Sequence, residues 1–289
     1  MHYKKVKRKE QDFCNICGKQ AKLTWDHVPP KCCNNQYSIK ANSWVSGLPE
    51  ETHYEKNFQN GIRYRSLCEE CNNKLLGANY DVVLAEFTNQ ITEIMRSSLE
   101  LPPIVKVPVK INRLCRAICG HILAAKNFFD DICIIDQKLR DYVLDMEALP
   151  PTGMSLLYWI YPYSTIMIMR DIGVFSFSEN FSFPKGTVSI MNSFPAAYVI
   201  STDKERCGLF DLFSVCSTNI DEVIYVPVEK SSCYFPNSNQ LRHFSWPCNI
   251  AENDDGAAFI LGNEDCMNDS KIAKHSVENL RKIRNRVVR

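Results

Sequence analysis

The chain has 289 residues, 45% of them hydrophobic and 23% charged, with a formal net charge of +1. That is the balance of an ordinary globular protein with a sizeable core, and it excludes a disordered chain. No apolar run has the length of a membrane helix, since the nearest, residues 153–169, is broken by Pro162.

The N-terminus, MHYKKVKRKEQDF, carries basic residues with no apolar stretch behind them, so it does not read as a secretory signal. A cytoplasmic protein with no membrane partner is expected. Charge is unevenly placed: residues 1–11 hold about +4 and residues 271–289 about +6, which leaves the middle near −9. Basic ends on an acidic body suit contact with an anion such as nucleic acid, or serve as solubilising tails.

The 14 cysteines of an unsecreted chain are not a disulfide framework. Four of them form two Cys-x-x-Cys knuckles, Cys14/Cys17 and Cys68/Cys71. Each knuckle offers two thiolates to one ion, and two knuckles complete the tetrahedral sulfur shell that suits a structural Zn²⁺. Residues 12–80 therefore read as a small metal-stabilised module. The Asn-, Ser- and Glu-rich stretch from about Asn34 to Asn60 reads as a long loop between the knuckles.

After Cys71 the apolar period becomes helical. Tyr80, Val83, Leu84, Phe87, Ile91, Ile94 and Met95 recur at three- and four-residue steps until Pro102-Pro103. A second amphipathic helix is expected from about Ile111 to Leu123, with Cys115 and Cys119 on its apolar face. A third uses Ile135, Leu139, Tyr142, Val143 and Met146 and stops at Pro150-Pro151. Beyond that proline pair come short β-branched and aromatic runs (SLLYWIY, TIMIMR, GVFSF, TVSIM, AAYVIS, GLFDLF, EVIYVPV) punctuated by Pro, Gly, Asn and Asp. The expected fold class is α+β, in three parts. These are a zinc-stabilised N-terminal module (1–80), a helical connector (81–150) and a mostly antiparallel β domain (151–289) ending in a basic helix.

Chemistry concentrates between and just after the knuckles. Leu23-Thr24-Trp25-Asp26-His27-Val28-Pro29-Pro30-Lys31 carries an Asp-His dyad, and Cys68-Glu69-Glu70-Cys71-Asn72-Asn73-Lys74 places an amide directly after the last cysteine. A neutral imidazole can take a proton from water. A carboxylate and an amide oxygen are hard ligands suited to Mg²⁺. Pro29-Pro30 ends any strand just past the histidine. His2, His53, His121, His243 and His275 have no ligand spacing and read as structural or exposed.

This layout resembles the HNH, or ββα-metal, endonuclease family, in the subgroup with a four-cysteine zinc. The matching motifs are Cys-x-x-Cys, Asp-His-Val-Pro-Pro and Cys-x-x-Cys-Asn, over roughly residues 12–80. The resemblance implies a treble-clef-like β-hairpin and helix, with Cys14, Cys17, Cys68 and Cys71 as a structural zinc set. It implies His27 as general base, and Asp26 and Asn72 as ligands of a catalytic Mg²⁺ or Mn²⁺. Family members carry a middle Asn shortly before the second knuckle that orients the histidine; the nearest residue here is Asn60, which sits early. Lys31, Arg63 and Arg65 could hold phosphates or be solvated. The expected partner is DNA, cut in phage defence or restriction, with a homodimer and a small-molecule or protein trigger at the β domain as further possibilities. The competing reading is a zinc-containing nucleic-acid-binding protein without catalysis.

Overall fold

The computed structural model describes residues 8–45, 54–161, 166–175, 184–202, 209–229 and 257–262. The protein is mixed α+β, and its strands pair antiparallel in three sheets. Near the N-terminus, β2 (Gln20–His27) lies between β1 (Gln11–Phe13) and β5 (Arg63–Cys68). β2 ends at His27, immediately before Val28 and the proline pair, where the two prolines lead one to expect it.

β5 runs into one long helical stretch. Its first part, Glu70–Tyr80, is wound as a π-helix, and it continues as α1 (Asp81–Arg96). Two more helices follow, α2 (Ile111–Ala124) and α3 (Ile134–Leu144). All three α-helices fall where the apolar period places them. In α2 every residue except Arg113 is buried, so it packs on all sides rather than on one stripe. Gly120 allows that approach, because a Cβ there would stand 2.4 Å from Cδ2 of Leu76.

The large sheet has eight strands. In spatial order they are β11 (Phe210–Asp211), β7 (Ser155–Ile160), β10 (Ala196–Ser201), β9 (Pro184–Ser193), β8 (Ile166–Phe175), β13 (Ala257–Gly262), β3 (Ile39–Val45) and β4 (Tyr54–Phe58). Most of the expected strand runs after Pro151 are present, with TIMIMR and GVFSF contributing to the single bulged strand β8, but GLFDLF supplies only the two residues of β11 before a 3-10 helix at Leu212–Val215.

Two expectations are corrected. The 34–60 segment is not a loop throughout: it contributes β3 and β4, and β3 pairs with β13 across six residue pairs from Ala257↔Val45 to Gly262↔Lys40. The run EVIYVPV does not join the large sheet. As β12 (Val223–Glu229) it pairs instead with β6 (Ile104–Lys110), a strand inside the stretch expected to be helical. The N-terminal segment therefore helps to build the large sheet, and one buried cluster runs from Cys14 through α1 and α2 to Tyr158, Tyr198 and Val228. Among the described residues, no helix is long and apolar enough to cross a membrane.

Candidate metal centre and active site

Cys14, Cys17, Cys68 and Cys71 converge, with their sulfur atoms all within 4.8 Å of one another. Cys17 Sγ and Cys68 Sγ stand 3.8 Å apart. Sulfurs on a tetrahedron with bonds of about 2.3 Å would be separated by roughly 3.8 Å, so the donor set fits Zn²⁺ in both chemistry and size. The first knuckle is held by its own backbone: Gly18, in the left-handed region at φ +68°, donates its N–H to the Cys14 carbonyl at 2.9 Å. The side-chain bond from Cys71 and backbone N–H groups lower the Cys14 thiol to about 5, whereas burial pushes Cys17 up to about 11. The cluster thus already favours a thiolate at Cys14, the form that binds metal.

Asn15, between the first two cysteines, ties the knuckle to the helices. Its Nδ2 donates to the carbonyls of Leu123 and Lys126 at 3.0 Å each, satisfying acceptors at the end of α2. Arg140 Nε donates to the Asn15 carbonyl at 2.9 Å, and Arg8 Nη1 to its side-chain oxygen at 2.6 Å. Arg8 also pairs with Asp12 and bonds the Phe13 carbonyl. It is therefore buried and committed to the fold, and not part of a free basic arm. Residues 1–7 and 271–289 lie outside the described residues.

The β2–β5 ladder arranges the remaining candidates. Cross-strand partners are Trp25↔Arg65, Asp26↔Tyr64 and His27↔Arg63. Side chains alternate along a strand, so Trp25, His27, Arg63 and Arg65 share one face while Asp26 points to the other. His27 is partly buried at the strand end, and its Nε2 meets the backbone carbonyl of Asn60 at 3.0 Å. A carbonyl only accepts, so Nε2 carries the proton and Nδ1 is left with its lone pair. Burial lowers the His27 pKa, the Asn60 carbonyl opposes this, and the charges of Lys31 and Arg63 lower it further. The net effect keeps the imidazole neutral. Asn60 thus does touch the histidine, but through its main chain.

Asn35, which no motif or spacing in the sequence singles out, builds that contact. It is fully buried, donates to the carbonyls of Pro29 at 2.6 Å and Ile62 at 3.0 Å, and accepts from the Ile62 N–H at 2.7 Å. Gly61 sits at φ +72°, where a Cβ would come within 2.2 Å of the Asn35 carbonyl oxygen. Only glycine fits this turn beside the Asn60 carbonyl.

Asp26 is buried and engages α2. Its Oδ2 lies 3.0 Å from His121 Nδ1, and His121 Nε2 lies 2.9 Å from Asp81 Oδ1 at the start of α1. His121 has no solvent exposure. Burial alone would depress its pKa, but Asp81 and Asp26 more than offset this and raise it well above the ordinary imidazole value. With an acceptor at each nitrogen, it is an imidazolium donating twice. His121, which the sequence left as structural or exposed, is thus the buried centre of a charge cluster, and its partners were the missing part. Asn72 donates Nδ2 to Thr24 Oγ1 at 2.9 Å and to the Trp25 carbonyl at 3.2 Å. These bonds leave the Asn72 carbonyl oxygen unengaged among the described residues.

A second acidic group, Asp130, Cys133 and Asp136, has metal-like spacing. Lys126 already fills it: its Nζ lies 3.0 Å from Asp130, 2.7 Å from Asp136 and 2.5 Å from Asp171. Arg170 joins Asp136 at 2.5 Å. This is a buried ion-pair network linking α3 to β8. Tyr158, Trp159 and Tyr198 of the large sheet, and Tyr161 just beyond β7, are buried core residues and not an open stacking surface.

No family model matches this chain, and the comparisons found neither a curated protein nor a solved structure that is similar to it.

Proposed function

We propose that the protein is a metal-dependent endonuclease of the HNH type that hydrolyses phosphodiester bonds in DNA. In this reading β2, β5 and the helix that follows Cys71 form the ββα-metal unit, braced by structural zinc on the four cysteines. The observation that carries it is His27, a neutral imidazole with its Nε2 proton fixed by the Asn60 carbonyl. Its free Nδ1 stands at the end of a strand flanked by Lys31 and Arg63.

Each residue has a distinct task. His27 Nδ1 accepts the proton of an attacking water. Lys31, Arg63 and Arg65 attract the phosphodiester and hold it against the strand end. Asp26 and Asn72 supply hard oxygens that would hold Mg²⁺ or Mn²⁺ on the Thr24–Asp26 side of β2, Asp26 through the carboxylate oxygen that His121 leaves free and Asn72 through its unengaged carbonyl, while His27 works from the other face at the strand end. When bound, such a cation neutralises charge developing on the leaving oxygen. One site per chain cuts one strand, so a double-strand break would need two copies or two events.

Incubation of the zinc-loaded protein with supercoiled plasmid tests the reading. Nicked or linear product should form with Mg²⁺ or Mn²⁺, disappear with EDTA, and be absent for His27→Ala. Cleavage at the wild-type rate by His27→Ala would defeat the mechanism, and no cleavage under any divalent cation would leave a zinc-containing nucleic-acid-binding protein as the better reading.

A further inference from the structure

Trp25 is the large exposed aromatic on the His27 face of the β2–β5 ladder. It is half exposed, at 50%, and stands just after the irregularity in the β2–β5 register between Thr24 and Trp25. Its ring is held rather than loose. The Arg65 guanidinium carbon sits 4.8 Å from the ring centroid and that of Arg63 sits 5.8 Å from it. Neither arginine makes an ion pair among the described residues. Two arginines against a half-exposed indole form a shelf that is positive at its rim and aromatic at its centre, with Glu10 the acidic group near Arg65.

The ladder sets the shelf's distance from the chemistry. Trp25 and His27 are two residues apart on β2, about 6.6–6.8 Å along the strand. That is about two nucleotide rises of a stacked strand at about 3.4 Å each. An indole at that spacing is within reach of an unpaired base roughly one or two nucleotides from the phosphate that His27 would serve. A paired base inside a duplex cannot offer its face to such a ring, whereas an unstacked base can.

We propose that Trp25, Arg63 and Arg65 form a binding site for an unpaired nucleotide flanking the cleaved phosphate, so that the preferred DNA is single-stranded or locally opened. Trp25 stacks on the base, and the two arginines hold its ring and meet the neighbouring phosphates. The proposal rests on the endonuclease reading for the word cleaved, but the binding site is testable without cleavage.

The test uses the full-length zinc-loaded protein without added divalent cation, so that nothing is cut. Fluorescence anisotropy gives the affinity for labelled oligo-dT and for a blunt duplex. Wild type should bind oligo-dT more tightly than the duplex. Trp25→Leu should lose about 5- to 140-fold in oligo-dT affinity, the cost of one base–aromatic stack, and change little on the duplex. Trp25→Phe should keep most of the affinity. Arg63→Gln with Arg65→Gln should weaken both and flatten the oligo-dT salt dependence by about 0.7 for each phosphate that the arginines cease to neutralise. Unchanged zinc content and urea midpoint in Trp25→Leu show that its fold is intact. Wild-type oligo-dT affinity in Trp25→Leu, or a wild-type preference for duplex, overturns the proposal. If Trp25-dependent binding is found while plasmid remains uncut, the nuclease reading fails and this one stands. If plasmid is cut but Trp25 is irrelevant to binding, the reverse holds.

Discussion

Replacing His121 with Leu tests whether the Asp26–His121–Asp81 cluster is a structural charge unit. The imidazole is wholly inaccessible, the Asp26 side chain is 8% exposed and the Asp81 side chain 25%. Leucine fills similar volume but removes both N–H donors and the positive charge that faces Asp26. Removing one partner of a buried ion pair costs about 3–5 kcal/mol, because the other charge is left uncompensated. Asp26 should account for most of that, since Asp81 can turn to water. The expected loss is therefore about 3–4 kcal/mol in a urea titration followed by circular dichroism, with zinc content measured on the same samples. Adding Asp26→Asn to His121→Leu removes the stranded charge and should restore part of the loss, a coupling of roughly 1–3 kcal/mol. A His121→Leu protein less than about 1 kcal/mol below wild type, or a double variant showing strictly additive losses, would mean the carboxylate is not stranded and the cluster is wrongly described.

Other outcomes follow from the same geometry. Wild type should carry one tightly bound zinc per chain by elemental analysis, and Cys71→Ser should lose it together with the fold of the knuckles, since metal binding is folding free energy in such sites; full retention in the variant refutes the assignment. His27→Ala should cut DNA about two to four orders of magnitude more slowly with zinc and stability unchanged, and the midpoint of the acid fall in wild-type rate should lie on the low side of the ordinary imidazole value, because His27 is lowered by burial. Lys126→Met should cost about 1–3 kcal/mol, because Asp130 loses its cation while Asp136 and Asp171 keep Arg170. Asp171 is the depressed carboxylate of that network: burial opposes ionisation, but Arg170 and Lys126 outweigh it. Its contribution is present above the ordinary carboxylate pKa and is lost as pH falls through the lower folded value. The stability gap between wild type and Lys126→Met should accordingly narrow in acid; a gap that widens there would contradict the network.

The legible parts of the molecule were those whose signal is local. The three- and four-residue steps of Val83, Leu84, Phe87 and Ile91, or of Ile111, Leu114, Cys115 and Ile118, are a property of neighbouring residues, and both helices stand where those steps place them. The two knuckles were legible because spacing within each pair is local and two Cys-x-x-Cys pairs are the pattern of a four-sulfur metal site. What escaped depends on distant partners. Ile39-Lys40-Ala41-Asn42-Ser43-Trp44-Val45 is mixed in polarity and reads as a loop, yet it becomes a strand because β13, over two hundred residues later, pairs with it; strand preference is largely set by such context. His121 lies on an apolar helix, and nothing near it in sequence points to Asp26, 95 residues away. The alternation of Val105, Val107 and Val109 did carry a period of two for β6, but Pro102, Pro103 and Pro108 obscured it.

These long-range pairings also decide how the two ends of the protein depend on each other. A fragment ending at Pro150 looks reasonable from the sequence, since helices stop and strands begin there. In the structure that cut would leave β3 without β13 and β6 without β12, and would uncover α2, which is buried on every side. The zinc knuckle leans on α2 through Asn15, and Asp26 leans on it through His121. Removing the later strands would thus loosen the helix that positions both the metal centre and the proposed catalytic strand. The large sheet consequently acts on the site through α2, as its supporting wall, and loss of activity on truncation would not by itself identify a recognition domain. Point changes on the outer face of β2 and β5, at Trp25, Arg63 and Arg65, leave that wall intact, so they separate substrate contact from support.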